Sequence, residues 1–133
     1  MADYGMRTTF SGDIQAAEEA MTDALKAVGF GILTRIDVAE TLKKKIDVSR
    51  KPYVILGACN PKLANHALQL EPELGLMLPC NVIVYENDAA ETIVSIIDPQ
   101  AMIGMIDNPN LQCLVQDARP LLQQALQSIA TAA

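Results

Sequence analysis

Five short stretches of the chain carry apolar residues in patterns that predict β-strands. In residues 4–10 and 30–36 every second residue is apolar or strand-forming, which is the period of a strand with one buried face. Residues 53–58 are apolar almost without a break, as in a central strand that is covered on both faces. The predicted strands are 4–10, 30–36, 53–58, 82–86 and 92–97, and a turn at 86–91 predicts that the last two form an antiparallel hairpin.

Apolar residues spaced three and four apart predict two long amphipathic helices. The first begins near residue 13, and Gly29 is placed to end it in the left-handed conformation. The second begins near residue 109, and we expect Pro120 to kink or split it and its tail to fray from Ser128. Residues 74–78 are apolar but bounded by prolines, which predicts a packed loop.

Shorter helices are predicted where a capping side chain precedes a proline. The capping side chain accepts a hydrogen bond from the first turn, and the proline ring suits the first helical position. Asp37 with Glu40 three residues later forms a capping box and predicts a further short helix. The cap-and-proline pairs are Asn60-Pro61, Asp98-Pro99 and Asn108-Pro109.

Helices with one apolar stripe need a sheet to cover, so the pattern predicts an α+β fold. We expect a five-stranded sheet covered by helices. A chain of 133 residues has the length of one domain and can bury a real core. Residues 1–133 are therefore predicted to form a single compact domain.

Composition narrows the classes of partner. The net charge is −6, which argues against nucleic acid and anionic membrane surfaces as partners. Five of the ten cationic residues lie between positions 43 and 51, either as a solvated helix end or as an anion-binding patch. No membrane-spanning run or signal peptide is recognised, and three cysteines without a framework spacing fit a reducing compartment. These features predict a cytoplasmic protein.

Cys59 is the residue with a physical argument for reactivity. It lies just before a predicted helix N-terminus, where the helix dipole and unpaired N–H groups favour a thiolate. The alternative is a buried packing residue against Ala64. Cys80 begins the next strand, so an antiparallel pairing of the two strands would bring both cysteines together and a parallel pairing would separate them. Cys113 is predicted to fill the core beside the stripe of the last helix.

The sequence contains few other residues with a case for chemistry. His66 is the single histidine, its predicted position on its helix points away from the core, and its spacing from Cys59 and Cys80 matches no zinc motif. No metal site, cofactor or catalytic residue is predicted. No phosphate-binding loop or hydrolase motif is present, so the question of catalysis stays open and a catalyst would have to work through cysteine.

Several short motifs, most of them between positions 57 and 86, belong together. They are Gly57-Ala58-Cys59-Asn60-Pro61, Leu63-Ala64, Ala67-Leu68, Glu71-Pro72, Gly75-Leu76, Leu78-Pro79-Cys80-Asn81-Val82 and Val84-Tyr85-Glu86, with Gly29-Phe30-Gly31 and Asp98-Pro99 outside the central stretch. On these residues the chain resembles, over nearly its whole length, a bacterial family called domain of unknown function 302. The similarity implies a compact α+β domain that is commonly dimeric, and it implies almost nothing about activity.

Two hypotheses for function follow. The first is a non-catalytic binding or interaction domain, a homodimer that contacts its partner through residues 74–78 or 102–106. Its small-ligand site would lie near the two Cys-Asn pairs, with the candidate binding residues Cys59, Asn60, His66, Cys80 and Asn81. The second is a thiol-dependent redox, sulfur-transfer or soft-metal-handling protein that uses Cys59 and Cys80. The sequence favours the first.

Overall fold

One antiparallel sheet organises the computed structural model, which describes residues 4–130. Its five strands lie in the order β1-β5-β4-β3-β2, and every neighbouring pair is antiparallel. The predicted five-stranded sheet is confirmed, including the hairpin of the last two strands, and the predicted strand ends differ by at most two residues. The strands are β1 (Gly5–Phe10), β2 (Gly31–Asp37), β3 (Tyr53–Cys59), β4 (Cys80–Glu86) and β5 (Thr92–Ile97).

Five α-helices and two short 3-10 helices accompany the strands. They are α1 (Ile14–Ala27), α2 (Val38–Ile46), α3 (Pro61–Leu70), α4 (Pro99–Ile103) and α5 (Gln112–Ile129), with 3-10 helices at Pro72–Met77 and Pro109–Leu111. Helices α4 and α5 and the second 3-10 helix follow the last strand. Gly29 ends α1 with a φ of 90°, as its sequence position predicts. Together with the five-stranded sheet, these helices confirm the predicted α+β class.

The main core lies between one face of the sheet and helices α1 and α5. Met21 of α1 and Leu122 of α5 are both fully buried there. Strand β3 contributes Val54 and Leu56 to this core, whereas its intervening Ile55 is only half-buried. The prediction that this strand is covered on both faces is therefore wrong, because the two long helices cover one face of the sheet.

A second, smaller apolar cluster closes the end of the sheet from which β3 leads into α3. It draws on α3, α4, α5 and both 3-10 helices, and its members are far apart along the chain. Because the two clusters are separate, the core has a seam between them. The buried members of the second cluster are Ala67, Leu74, Ile103, Leu111, Leu114 and Val115.

Two local predictions are corrected by the structure. The predicted loop at 74–78 lies largely within the 3-10 helix Pro72–Met77, because burial of Leu74 draws this segment onto the second cluster. Pro120 does not split α5, which continues to Ile129, since Ala118 and Leu122 on either side of the exposed proline pack into the main core. Residues 1–3 and 131–133, on which the signal-peptide and tail predictions partly rest, lie outside the described residues.

The cationic run around α2 is largely paired with carboxylates. Lys43 donates to Asp47 at 2.7 Å and Lys44 donates to Glu40 at 2.6 Å, while Lys51 lies 3.5 Å from Asp88. Because these carboxylates neutralise the lysines, the run is better explained as a solvated helix end than as an anion-binding patch. Among residues 4–130, no helix combines the length and apolar character needed to cross a bilayer.

Candidate functional site

A local sequence signal, Asn60 followed by Pro61, marks the junction between β3 and α3. Strand β3 ends at Cys59, and Asn60 caps α3 by accepting a hydrogen bond from the N–H of Leu63 through its Oδ1 (3.2 Å). Pro61 occupies the first helical position. This arrangement confirms the predicted helix start and holds Cys59 directly before the N-terminus of α3.

The strand register brings the second Cys-Asn pair to the same end of the sheet. Strands β3 and β4 are antiparallel, and Ala58 lies opposite Cys80. Cys59 and Cys80 are thus offset by one residue in the register. All three cysteines are free thiols.

A small apolar cavity lies at this end of the sheet, at the seam between the two core clusters. Its volume is about 60 Å³, several times the roughly 10–15 Å³ that a single water requires. The cavity is lined by Phe30, Ala58, Cys59, Asn60, Leu63, Ala64, Ala67, Leu74, Leu78, Pro79, Cys80, Pro99, Met102, Ile103, Leu114, Val115 and Ala118. Both predicted cysteines and Asn60 therefore border one space.

The cavity is surrounded by residues other than acids and bases. Its lining contains no Asp, Glu, Lys, Arg or His side chain. Burial, and to a lesser extent the neighbouring Cys59, raises the pKa of the Cys80 thiol to about 11. At neutral pH Cys80 is therefore a protonated thiol, which is a poor nucleophile.

The other candidate residues lie elsewhere. His66 is exposed on α3, as its helical position predicts, and does not line the cavity. Asn81 is exposed on the sheet face that the long helices leave open, where it borders a shallow groove. Cys113, predicted to fill the core, is exposed instead, with its Sγ 3.2 Å from the carbonyl oxygen of Asn110. It falls beside the buried stripe of α5 and not within it.

Much of the cavity wall comes from residues that the sequence did not nominate. Leu114, Val115 and Ala118 of α5 close one side, and Met102 of α4 lines another. Their helical spacing marks them as buried, but no local signal places the start of α5 beside the end of β3. A stripe of buried residues reveals which face of a helix is covered and not what covers it.

Metal ligands do not gather at this place. Within the described part of the chain, no three His, Cys, Asp or Glu side chains are grouped so that they could hold a metal ion. The chemistry that the residues themselves offer is therefore apolar contact, one buried S–H group and one half-buried thiol.

Comparison with known proteins shows a family and a fold. The family model described as domain of unknown function DUF302 matches residues 6–129. A crystal structure of an uncharacterized conserved DUF302 protein from Bacillus stearothermophilus is 29% identical and superimposes with a TM-score of 0.89, covering 96% of this chain and 99% of that one. No curated protein matches the sequence.

Proposed function

The chain belongs to the family of domain of unknown function DUF302, and from that premise we propose that it is a non-catalytic domain that binds a small molecule in the Cys59–Cys80 cavity. The observation that supports the proposal is the cavity itself, an apolar space at the seam of two clusters that are otherwise closely packed. Native interiors contain few voids larger than a water molecule.

We also propose that the protein lies in the cytoplasm, because its three free thiols suit a reducing compartment.

A substitution that fills the cavity tests this proposal. Ala64 lines the cavity and is half-buried, so Ala64→Leu adds three carbons to the space a ligand would occupy. Native mass spectrometry of the purified protein is expected to show a retained small molecule that Ala64→Leu loses. Circular dichroism checks that the variant folds, and Ala64→Val serves as a milder version.

The matched control is Ala16→Leu, which makes the same change at an exposed position of α1. It is expected to retain the molecule. The proposal is wrong if wild-type protein retains nothing and a screen of charged and uncharged small molecules raises its Tm no more than that of Ala64→Leu.

The alternative function is thiol chemistry by Cys59 and Cys80. Cys59 is half-buried directly before α3, which favours it as a nucleophile. The raised pKa of Cys80 opposes its use as a resolving thiol at neutral pH. A protein that works this way would react fastest at Cys59.

Alkylation rates decide between the two functions. We expect exposed Cys113 to be labelled first and Cys80 last in the native protein, because at pH 8 the thiolate fraction of Cys80 is about 100-fold below that of a thiol with the ordinary pKa. Iodoacetamide labelling of single Cys→Ser variants, followed by peptide mass spectrometry, measures each rate. Labelling of Cys59 ahead of Cys113 at pH 7 would establish the thiol alternative.

The same raised pKa makes stability depend on pH in the alkaline range. The folded protein holds the Cys80 proton more tightly than the unfolded chain does. The contribution of Cys80 to stability is therefore complete below pH 9 and is lost as the pH rises toward 11.

We also propose that the domain is a homodimer. Leu76 and Met105, from the two segments expected at the contact, are 84% and 77% exposed, and Tyr4 beside them is 64% exposed. They line one shallow groove, which shares Tyr4, Asn81 and Ile97 with a second groove on the open face of the sheet. A continuous apolar surface of this kind is typical of a protein interface.

Light scattering during size-exclusion chromatography tests the homodimer. Twice the chain mass of 14.3 kDa is expected at micromolar concentration. Replacing Leu76 and Met105 together with glutamate places charges at the contact and is expected to weaken association by at least about tenfold. Leu33→Glu, at a 67% exposed position on the edge strand β2, is the control. A wild-type mass of 14.3 kDa throughout would contradict the homodimer.

A further inference from the structure

We infer that the part of the ligand buried in the cavity is an uncharged hydrocarbon group, inserted end first, and that the polar part of the ligand stays outside. This inference rests on the proposed ligand site and names the chemistry of its occupant. It excludes anions, ammonium groups and hydroxyl groups from the enclosed space. Three features of the cavity carry it, namely the polarity of its walls, its one buried thiol and its size.

The buried part of the wall offers no partner for a charged or strongly polar group. Apart from the thiols, Asn60 is the polar side chain in the lining; it is half-buried and its Oδ1 accepts the N–H of Leu63, whereas the buried lining side chains other than Cys80 are all apolar. A hydroxyl group that loses water and finds no partner in such a site weakens binding by roughly 5- to 150-fold. A buried carboxylate or ammonium group would be disfavoured further.

Cys80 is the polar group that the fold leaves without a partner. Its side chain is nine-tenths buried and lines the cavity, and the described residues provide it with no hydrogen bond. Because burial keeps the thiol protonated at neutral pH, it presents a weak S–H donor and no charge. Sulfur of this kind is compatible with hydrocarbon, since a free cysteine behaves as a small hydrophobe.

The size of the cavity decides how the ligand enters. About 60 Å³ accommodates only a few carbon atoms, which is well below the 150 Å³ of an engineered cavity that binds benzene. Leu63 and Ala64 line the cavity, are half-buried and lie outside the groove proposed for the dimer contact, so that side faces solvent. A longer molecule can therefore place its apolar end inside and leave its polar end in water.

A series of linear alcohols tests the inference. Hexan-1-ol and hexane-1,6-diol have equal chain length, but the diol carries a hydroxyl group at both ends and has no apolar end to insert. Titrations followed by ¹H–¹⁵N NMR are expected to shift the amides of residues 59–64 and 114–118 on addition of hexan-1-ol. The diol is expected to bind at least fivefold more weakly.

Chain length provides a second readout. From propan-1-ol upward, affinity is expected to rise about fourfold for each added methylene group that is buried, and then to level off once the cavity is full. Ala64→Leu is expected to abolish the hexan-1-ol shifts at these amides, whereas Ala16→Leu keeps them. Equal affinity for the diol and the alcohol would overturn the inference.

The outcomes separate this inference from the proposed site. If hexan-1-ol does not bind but Ala64→Leu releases a charged or polar molecule in native mass spectrometry, the site stands and the hydrocarbon occupant is wrong. If neither the alcohols nor any retained molecule responds to Ala64→Leu, both the site and its occupant are wrong.

Discussion

Replacing Leu122 with alanine is expected to lower the free energy of unfolding by about 2 to 5 kcal/mol, the range for deleting a large aliphatic side chain from a core. Leu122 is fully buried in the main core, where α5 packs with α1 against the sheet. The loss combines two free energies, the hydrophobic transfer free energy of the removed carbons and the cost of the cavity that remains. The rigid sheet on one side limits how far the site can collapse.

Urea unfolding followed by circular dichroism measures this loss. Leu33→Ala is the matched control, because Leu33 is 67% exposed on β2, and a surface substitution of this kind usually changes stability by no more than about 0.5 kcal/mol. Equal losses in the two variants would show that Leu122 does not bury α5 against the main core.

Replacing Gly57 with alanine is expected to cost about 1 to 3 kcal/mol, the usual range for overpacking. A Cβ at this position would lie 2.6 Å from Cγ of Pro79 and closer still to Oγ1 of Thr34. Strand β3 lies between β2 and β4, so it cannot move away from one neighbour without approaching the other. Thr34 is an exposed side chain that can rotate, but the Pro79 ring is held by the backbone.

Gly31→Ala controls for the general effect of adding a methyl group to a strand. Gly31 lies in the neighbouring strand β2, and a Cβ there meets no atom within 4 Å. Its stability is expected to remain within about 0.5 kcal/mol of wild type. The double variant Thr34→Ala/Gly57→Ala is expected to recover part of the loss. Equal effects at positions 31 and 57 would contradict the close approach.

Signals contained within a few residues were sufficient to locate the five strands and the five α-helices of this fold, but not the 3-10 helix Pro72–Met77. Asn60 and Asp98 both accept hydrogen bonds from the first turn of the helix that each precedes, at 3.2 and 2.9 Å, as their sequence positions predict. Apolar alternation likewise located β1 and β2. Capping and alternation are local physics, so no tertiary information was needed.

The corrected predictions concern segments whose conformation depends on distant partners. Pro120 removes a hydrogen bond from α5, yet buried Ala118 and Leu122 hold the helix on both sides of it. Leu74 draws an apolar segment bounded by prolines into a 3-10 helix that contacts α3 and belongs to the second cluster. Local propensity is a weak constraint compared with the burial of several apolar side chains.

The candidate site also has a part that local sequence predicts and a part that only distant contacts determine. The sequence alone identified Cys59 and Asn60, because a cap and a proline mark where a strand gives way to a helix. It left open whether Cys80 lies nearby, and the antiparallel register of β3 and β4 decided that. The cavity exists only because α5, more than 50 residues further along the chain, lies against the end of β3. Empty space between distant elements leaves no trace in local sequence, so only the tertiary structure reveals it.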